Sequence, residues 1–334
     1  MKRTTPGRPV SVEAVFPELA AWRGRTTRLH PRPGRPGARD SHVGGPMLWP
    51  DGDAWPVCRE PHLPEAEGYA PDEIRRARAA GVPPSGRPWP RVGADGPVPF
   101  VGLAQLFRRD VPGLAAGPGG ADLVQLFRCP LAHGPHHEPR YRLHWRRAEE
   151  AERAGRFLTA PPEVALLRWE HELPEPCVLH PEEVDTYPWA EEGSLPAESI
   201  ARIDAWDEAQ EREHGPDALS YQYDLSIPPG WRVGGFPSWA STGPMVVECA
   251  SCGAPMRLLL TAEGYETQGP SCSWVPLEDR DRFRRDGASS RVGMSIRGGD
   301  AVIRPTRLRF GRDRDLMVFV CPADGEHPPR WALS

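Results

Sequence analysis

The chain has 334 residues, 39% of them hydrophobic and 26% charged, and a formal net charge of −5. This composition supports one large domain or two ordinary ones and contains no apolar run long enough for a helix to cross a bilayer. The mildly acidic balance excludes a global electrostatic pull on nucleic acid or acidic lipid, so neither nucleic acid nor a membrane is an expected partner.

The 42 prolines and 34 glycines are scattered without a period, which favours many turns and short strands. Lys2 is the only lysine. Arginine as the default cation reads as the codon bias of a GC-rich bacterial genome, so an arginine cluster says little by itself. Seven cysteines over so long a chain fit buried thiols or a metal in a reducing compartment, not a disulfide framework. The stretch MKRTTPGRPVSVEAVFPELAAW lacks an apolar signal core, and a cytoplasmic location is the expectation.

In chain order, residues 1–40 read as an Arg/Pro-rich lead with a short helix opening at Pro17 and ending at Gly24. Residues 62–99 read as an inserted surface loop around one helix, PDEIRRARAAG, with Pro71, Asp72 and Glu73 at its start and Gly81 at its end. DLVQLFRC (122–129), RYRLHWR (140–146) and EVALLRWE (163–170) read as strands. In the second of these, Tyr141, Leu143 and Trp145 alternate with Arg140, Arg142, His144 and Arg146. AESIARIDAWDEAQEREHG (197–215) reads as an amphipathic helix through Ile200, Ile203 and Trp206. YQYDLS (221–226), MRLLLTA (256–262), AVIRPTRLRF (301–310) and DLMVFVC (315–321) follow as strands, with Pro305 marking an edge or a break. Strands, a helix and strands again predict an α+β, β-rich fold of mixed or antiparallel sheet with a few short helices.

The heptad VGGPMLW (43–49) returns as VGGFPSW (233–239), an offset of 190 between Trp49 and Trp239. Cys58 then matches Cys249 at an offset of 191, and Cys129 matches Cys321 at 192. Phe127 and Pro130 match Phe319 and Pro322, and His, Pro and Arg follow in both halves. Three anchors in nearly one register predict an internal duplication. The homologous lobes span 41–146 and 221–334, joined by a connector over 147–220 that contains the helix 197–214. Gly44, Gly45, Trp49, Gly234, Gly235 and Trp239 are the candidate binding or framework residues. Paired glycines permit φ > 0 and close backbone approach, and each Trp anchors a core. No G-x-G-x-x-G or Walker lysine accompanies them, so a phosphate cradle is not expected.

TRLHPRPGRPGARDSHVGGPMLWPDGDAWPVC, PFVGLAQLF and DLVQLFRCP together resemble the bacterial YwqG-like family. VGGFPSWASTGPMVVECASCGAPMRLLL with LMVFVCP is similar to that family and to the eukaryotic programmed-cell-death-2 proteins. The resemblance covers about 26–334 apart from the inserted regions. Thr261 departs from it where the family's LLLQ pattern has Gln, while Gln105 keeps it. The bacterial family has no settled activity. The eukaryotic relatives look like chaperones that hold a ribosomal protein, and some bacterial members are suspected of neutralising toxins. The resemblance thus implies binding of a polypeptide and no known reaction.

Cys249-Ala-Ser-Cys252-Gly is a C-x₂-C knuckle, in which a tight turn lets two thiolates share one metal. Cys321 and His327 are the natural other half, and zinc is the metal such ligands suit. The alternative reading is reduced cysteines in a turn and at a strand end. In the first half, Cys58, His62, Cys129 and one of His133, His136 or His137 hold the corresponding places. Cys177 and Cys272 have no repeat partner and read as ordinary thiols. His136-His137-Glu138 and His171-Glu172 read as solvated polar runs, and no H-E-x-x-H or G-x-S-x-G motif nominates a catalytic residue.

The expected function is non-enzymatic: a chaperone-like or immunity-like module that binds an extended segment of another protein in a cleft framed by the loops around Trp49 and Trp239. One alternative is a metal-dependent hydrolase, which three ligands and an open position beside a carboxylate would favour and four closed ligands would oppose. The other is an RNA-associated zinc protein that uses the arginine faces of RYRLHWR and TRLRF.

Overall fold

The structure is a computed structural model that describes residues 2–63, 67–88, 97–158, 161–240, 243–267, 273–285, 301–311 and 314–334. Cys272 lies outside the described residues. In chain order the strands are β1 (Gly24–Arg28), β2 (Arg32–Pro33), β3 (His42–Val43), β4 (Val57–Cys58), β5 (Glu67–Gly68), β6 (Arg87–Pro88), β7 (Val98–Pro99), β8 (Val101–Phe107), β9 (Leu123–Arg128), β10 (Tyr141–Arg146), β11 (Cys177–Val178), β12 (Glu182–Thr186), β13 (Arg232–Gly234), β14 (Arg257–Ala262), β15 (Leu316–Val320) and β16 (Arg330–Leu333). The helices are α1 (Val12–Val15), α2 (Pro71–Ala80), α3 (Ala148–Arg153), α4 (Ala197–His214) and α5 (Arg280–Arg285). The fold is α+β and rich in β.

Two six-stranded sheets carry the architecture. One runs β10-β9-β8-β3-β11-β2 and the other β16-β15-β14-β13-β1-β12, with two short two-stranded ladders, β4-β7 and β5-β6, beside them. The strand pairings are antiparallel. Each large sheet therefore contains a four-strand run, β3-β8-β9-β10 or β13-β14-β15-β16, completed by a pair of strands from elsewhere. β1, before the first run, lies between β12 and β13 in the second sheet. β11, before the second run, lies between β2 and β3 in the first. Both runs carry a register shift near the start of their second strand, between Gly102 and Ala104 and between Leu258 and Leu260.

A shared core binds the sheets. Val43, Leu103, Leu106, Val124 and Leu126 of one pack in a single buried cluster with Val233, Leu259, Leu260, Leu316 and Val318 of the other. Tyr141, Leu143 and Trp145 of β10 pack against that cluster, as the alternation in RYRLHWR requires. α2 forms where predicted. Pro71 occupies its first turn, Gly81 closes it at φ 69°, and Ile74 packs with Val164, Leu167 and Leu173.

Three expected strands take other forms. YQYDLS (221–226) winds into a wide helical turn in which the Asp224 carboxylate accepts from the Ser220 N–H at 2.8 Å. EVALLRWE makes only an isolated bridge, Leu167 to Tyr69, and AVIRPTRLRF forms turns ending in the bridge from Phe310 to Arg314. Their apolar residues are buried in separate clusters, Tyr221 and Leu225 with Phe16, Val164 and Leu167 with Ile74, and Val302 and Ile303 with Val275. The helix predicted at Pro17 is a tight 3₁₀ turn over Pro17–Trp22.

The two heptads begin at the end of the first strand of each four-strand run, β3 or β13, and form the loops that leave it. Gly44 has φ +68°, and a Cβ there would lie 2.8 Å from the Glu175 carbonyl oxygen. Gly234 and Gly235 have φ +69° and +79°, and a Cβ on Gly235 would meet Thr26 at 2.8 Å. Buried Gln105 ties the first loop down. Its Oε1 accepts from the Leu48 N–H at 2.7 Å, and its Nε2 donates to the carbonyls of Ala38 and Asp40. On β14, the buried Thr261 Oγ1 has no hydrogen-bond partner among the described residues.

Candidate metal centres

Both heptad tryptophans are buried and act as anchors. Trp49 packs edge-on against Phe127 at 5.7 Å, and Trp239 stacks on Phe319 at 6.0 Å. Each phenylalanine lies two residues before the cysteine that follows its strand, so each heptad supports the backbone that presents Cys129 or Cys321. Around Trp49, the Arg146 guanidinium lies 4.0 Å from the ring centroid and His144 5.0 Å. The arginine face of β10 is thus partly an aromatic sandwich and not wholly a solvated surface.

Four side chains converge beyond β9. Cys58 ends β4, His62 follows it, Cys129 follows β9, and His133 opens a tight hairpin closed by reciprocal bonds with Glu138. Cys58 Sγ is 3.8 Å from His133 Nε2, and Cys129 Sγ is 3.5 Å from His62 Nε2. His136 and His137 sit at the hairpin tip, exposed, so the hairpin selects His133 from the three candidates. The Pro61 carbonyl lies 3.0 Å from His133 Nδ1, which places the proton there and turns Nε2 toward the sulfurs.

Four more converge beyond β15. Cys249 and Cys252 lie in one turn, which the Gly253 N–H closes onto the Cys249 carbonyl at 2.9 Å. Gly253 has φ +70°, the left-handed conformation that such a turn needs. Cys321 follows β15, and His327 sits in the next turn. Cys249 Sγ is 3.4 Å from His327 Nδ1, and Cys252 Sγ is 3.6 Å from Cys321 Sγ.

In each group the four donor atoms lie within 4.8 Å of one another. Tetrahedral zinc with Zn–S of ~2.3 Å and Zn–N of ~2.05 Å requires S···S of ~3.8 Å and S···N of ~3.6 Å. The observed separations fit those edges, and both groups can hold a metal ion. With zinc the first, Cys₂His₂, is neutral, and all four of its residues are buried. The second, Cys₃His, carries one negative charge and leaves Cys252 exposed. That division follows the cost of burying net charge.

Protonation behaviour differs in the same sense. Burial pushes the Cys129 thiol well above its usual range. At Cys321 burial acts upward too, but contacts from the Asp324 backbone, His327 and the Ala323 backbone outweigh it and bring the thiol down to about 6. Cys321 and Cys249 in turn raise His327.

The remaining candidates are placed elsewhere. Glu172, read as solvated, is buried and paired with Arg128 at 2.7 Å. The pair joins β9 to the 170–172 turn. Cys177 is buried, with its thiol donating to the Pro305 carbonyl at 3.2 Å.

Two buried histidines make stability pH-dependent. Burial, aided by Arg28, lowers His30 to about 3, and burial lowers His42 to about 4. The neutral His42 ring accepts from the Gly45 N–H at Nδ1, 3.1 Å, and donates from Nε2 to the Pro46 carbonyl, 2.9 Å. In both cases the folded value lies below the unfolded one, so between those values the unfolded chain binds more protons. Acidification from pH 6.5 toward 4 therefore removes about 1.4 kcal/mol per pH unit for each histidine. Urea midpoints between pH 7 and 4.5 should fall accordingly, and His42→Gln should reduce the slope by about one proton. An unchanged slope in that variant would refute the assignment.

No family model matches the chain, and no curated protein matches it.

Proposed function

We propose that the protein is a non-catalytic binding module whose sheet ends are each clamped by one zinc ion, and that it holds a segment of another polypeptide. The observation that carries this reading is that both clusters supply four Cys/His donors and leave no open position for a substrate or an activated water. Cys58, His62, Cys129 and His133 would hold one ion, and Cys249, Cys252, Cys321 and His327 the other. The zinc supplies cross-links between loops that are distant in sequence, which is structural chemistry. A duplicated ancestor accounts for two such clusters, each beyond the third strand of a four-strand run with the same order. The sequence resemblance to YwqG-like and programmed-cell-death-2 proteins supports a polypeptide partner over a small substrate.

The test is crosslinked capture of the tagged, zinc-loaded protein from the lysate of its source, with and without nuclease. One dominant protein that survives nuclease is expected. Partners that vanish with nuclease would replace this reading with the RNA-associated alternative. An empty capture would leave the hydrolase alternative to be tested by substrate screening.

A further inference from the structure

A cavity of about 450 Å³ opens beside the first heptad, well within the range of ligand pockets. Gly44, Gly45 and Met47 form one wall, with Phe100 and Val101 at the start of β8 next to them. One face of α2 and the proline-rich segments 161–164 and 173–176 close the rest. The walls are largely apolar, and the glycines keep them thin. A Cβ on Gly45 would lie 2.6 Å from Pro36, and one on Gly102 would lie 2.6 Å from Met47.

Three arginines and two glutamates enter this apolar lining: Arg75, Arg78, Arg307, Glu163 and Glu175. Arg75 is paired with Glu163. Arg78 donates to the Glu170 and Leu173 carbonyls at 2.8 Å each and reaches Glu175 at 3.4 Å. Arg307 has no carboxylate partner among the described residues. It is also one of only three described non-glycine residues with positive φ, at 55°. The turn that holds it is fixed to the cavity wall, since the Glu175 N–H donates to the Thr306 carbonyl at 2.8 Å. Burial and then the Arg307 charge both lower Arg78, with Glu175 opposing them. A left-handed backbone at a bulky residue, held in place by its neighbours, marks a position selected for where its side chain goes.

We infer that this cavity binds an apolar group that ends in a carboxylate, with the apolar part against Met47, Phe100 and the prolines and the carboxylate on Arg307. The single excess positive charge matches a monoanion. A phosphate monoester carries nearly two negative charges, one more than the excess positive charge of the lining. The same chemistry is supplied by the C-terminal residue of a polypeptide or by a free apolar acid. The inference narrows the partner reading above, but it rests on the lining of this cavity and not on the identity of a captured protein.

Calorimetry on the full chain tests it with two matched pairs of probes: decanoate against decanamide, and acetyl-Leu-Phe with a free carboxylate against its amide. At least one acid should bind about tenfold more tightly than its own amide, as a charge-assisted arginine contact provides. Arg307→Asn, a residue that tolerates the left-handed backbone, should bring that ratio close to one. Ala79→Trp, at an exposed position on the α2 face of the cavity, should weaken the acid and its amide alike while leaving the melting temperature unchanged. Decanoate binding without peptide binding upholds the cavity and removes it from the polypeptide reading. Equal affinity for acid and amide, a ratio unchanged in Arg307→Asn, or no binding of any probe overturns the inference, whatever the lysate capture yields.

Discussion

Protein purified under reducing conditions is expected to contain two zinc ions per chain, and stripping them should unfold it. Structural zinc contributes about 10–16 kcal/mol in small zinc-binding peptides, which equals or exceeds the ~5–15 kcal/mol that holds an ordinary domain folded. The two sites should not contribute equally. Cys129→Ser removes a buried donor from the fully buried cluster, so it should reduce the metal content to one ion and cost most of the folded population. Cys252→Ser removes an exposed donor and leaves Cys249, Cys321 and His327 in place. It should weaken the second ion, with a melting temperature that depends on added zinc. Elemental analysis and thermal melts by circular dichroism read both effects. A folded protein without metal would discard the structural-zinc reading.

The second large effect is expected at a place unrelated to metal. Arg232 and Glu263 form a fully buried ion pair that joins β13 to the turn after β14. Arg232 also donates to the Ser238 hydroxyl at 2.8 Å, and the other Glu263 oxygen accepts from the Gly230 N–H at 2.8 Å. Glu263→Gln removes the carboxylate paired with the buried guanidinium, at a cost of about 3–5 kcal/mol. The melting temperature should then fall by about 4–7 °C for a chain of this size. The paired replacement Arg232→Met with Glu263→Leu should recover most of that loss, because it removes both desolvation costs together. A single variant as stable as the parent would show that the pair is not held in this buried form.

The candidate metal ligands were the most legible part of the sequence. Cysteines two apart beside a glycine, and a second cysteine followed by proline and histidine, carry their spacing in the primary structure. In the first half spacing stopped short of an answer, because His133, His136 and His137 are equivalent on paper. The hairpin closed between His133 and Glu138 separates them: it buries the first and leaves the other two at the exposed tip.

The central strands were less legible. β1 reads Gly-Arg-Thr-Thr-Arg and has no apolar alternation, yet it lies inside a sheet between β12 and β13. Its Arg28 is buried among carbonyls of Pro229, Glu266 and Trp274, and its Thr27 hydroxyl accepts from the Gly113 N–H. Hydrogen bonds to distant backbone replace apolar patterning there, so a window of sequence shows nothing. Conversely, YQYDLS and EVALLRWE have the composition of strands but no partner strand among the described residues to complete a ladder.

The sequence alone determined the β-rich class, the long helix, the two anchoring tryptophans and the second candidate ligand set, because periodicity, turn residues and short spacings are local. Tertiary structure alone decided which strands enter which sheet and which histidine joins the first cluster. It also decided where Arg307 meets an apolar cavity and where Arg232 meets Glu263. Those outcomes depend on residues tens to hundreds of positions apart, and they exist only once the chain has closed the loops that bring them together.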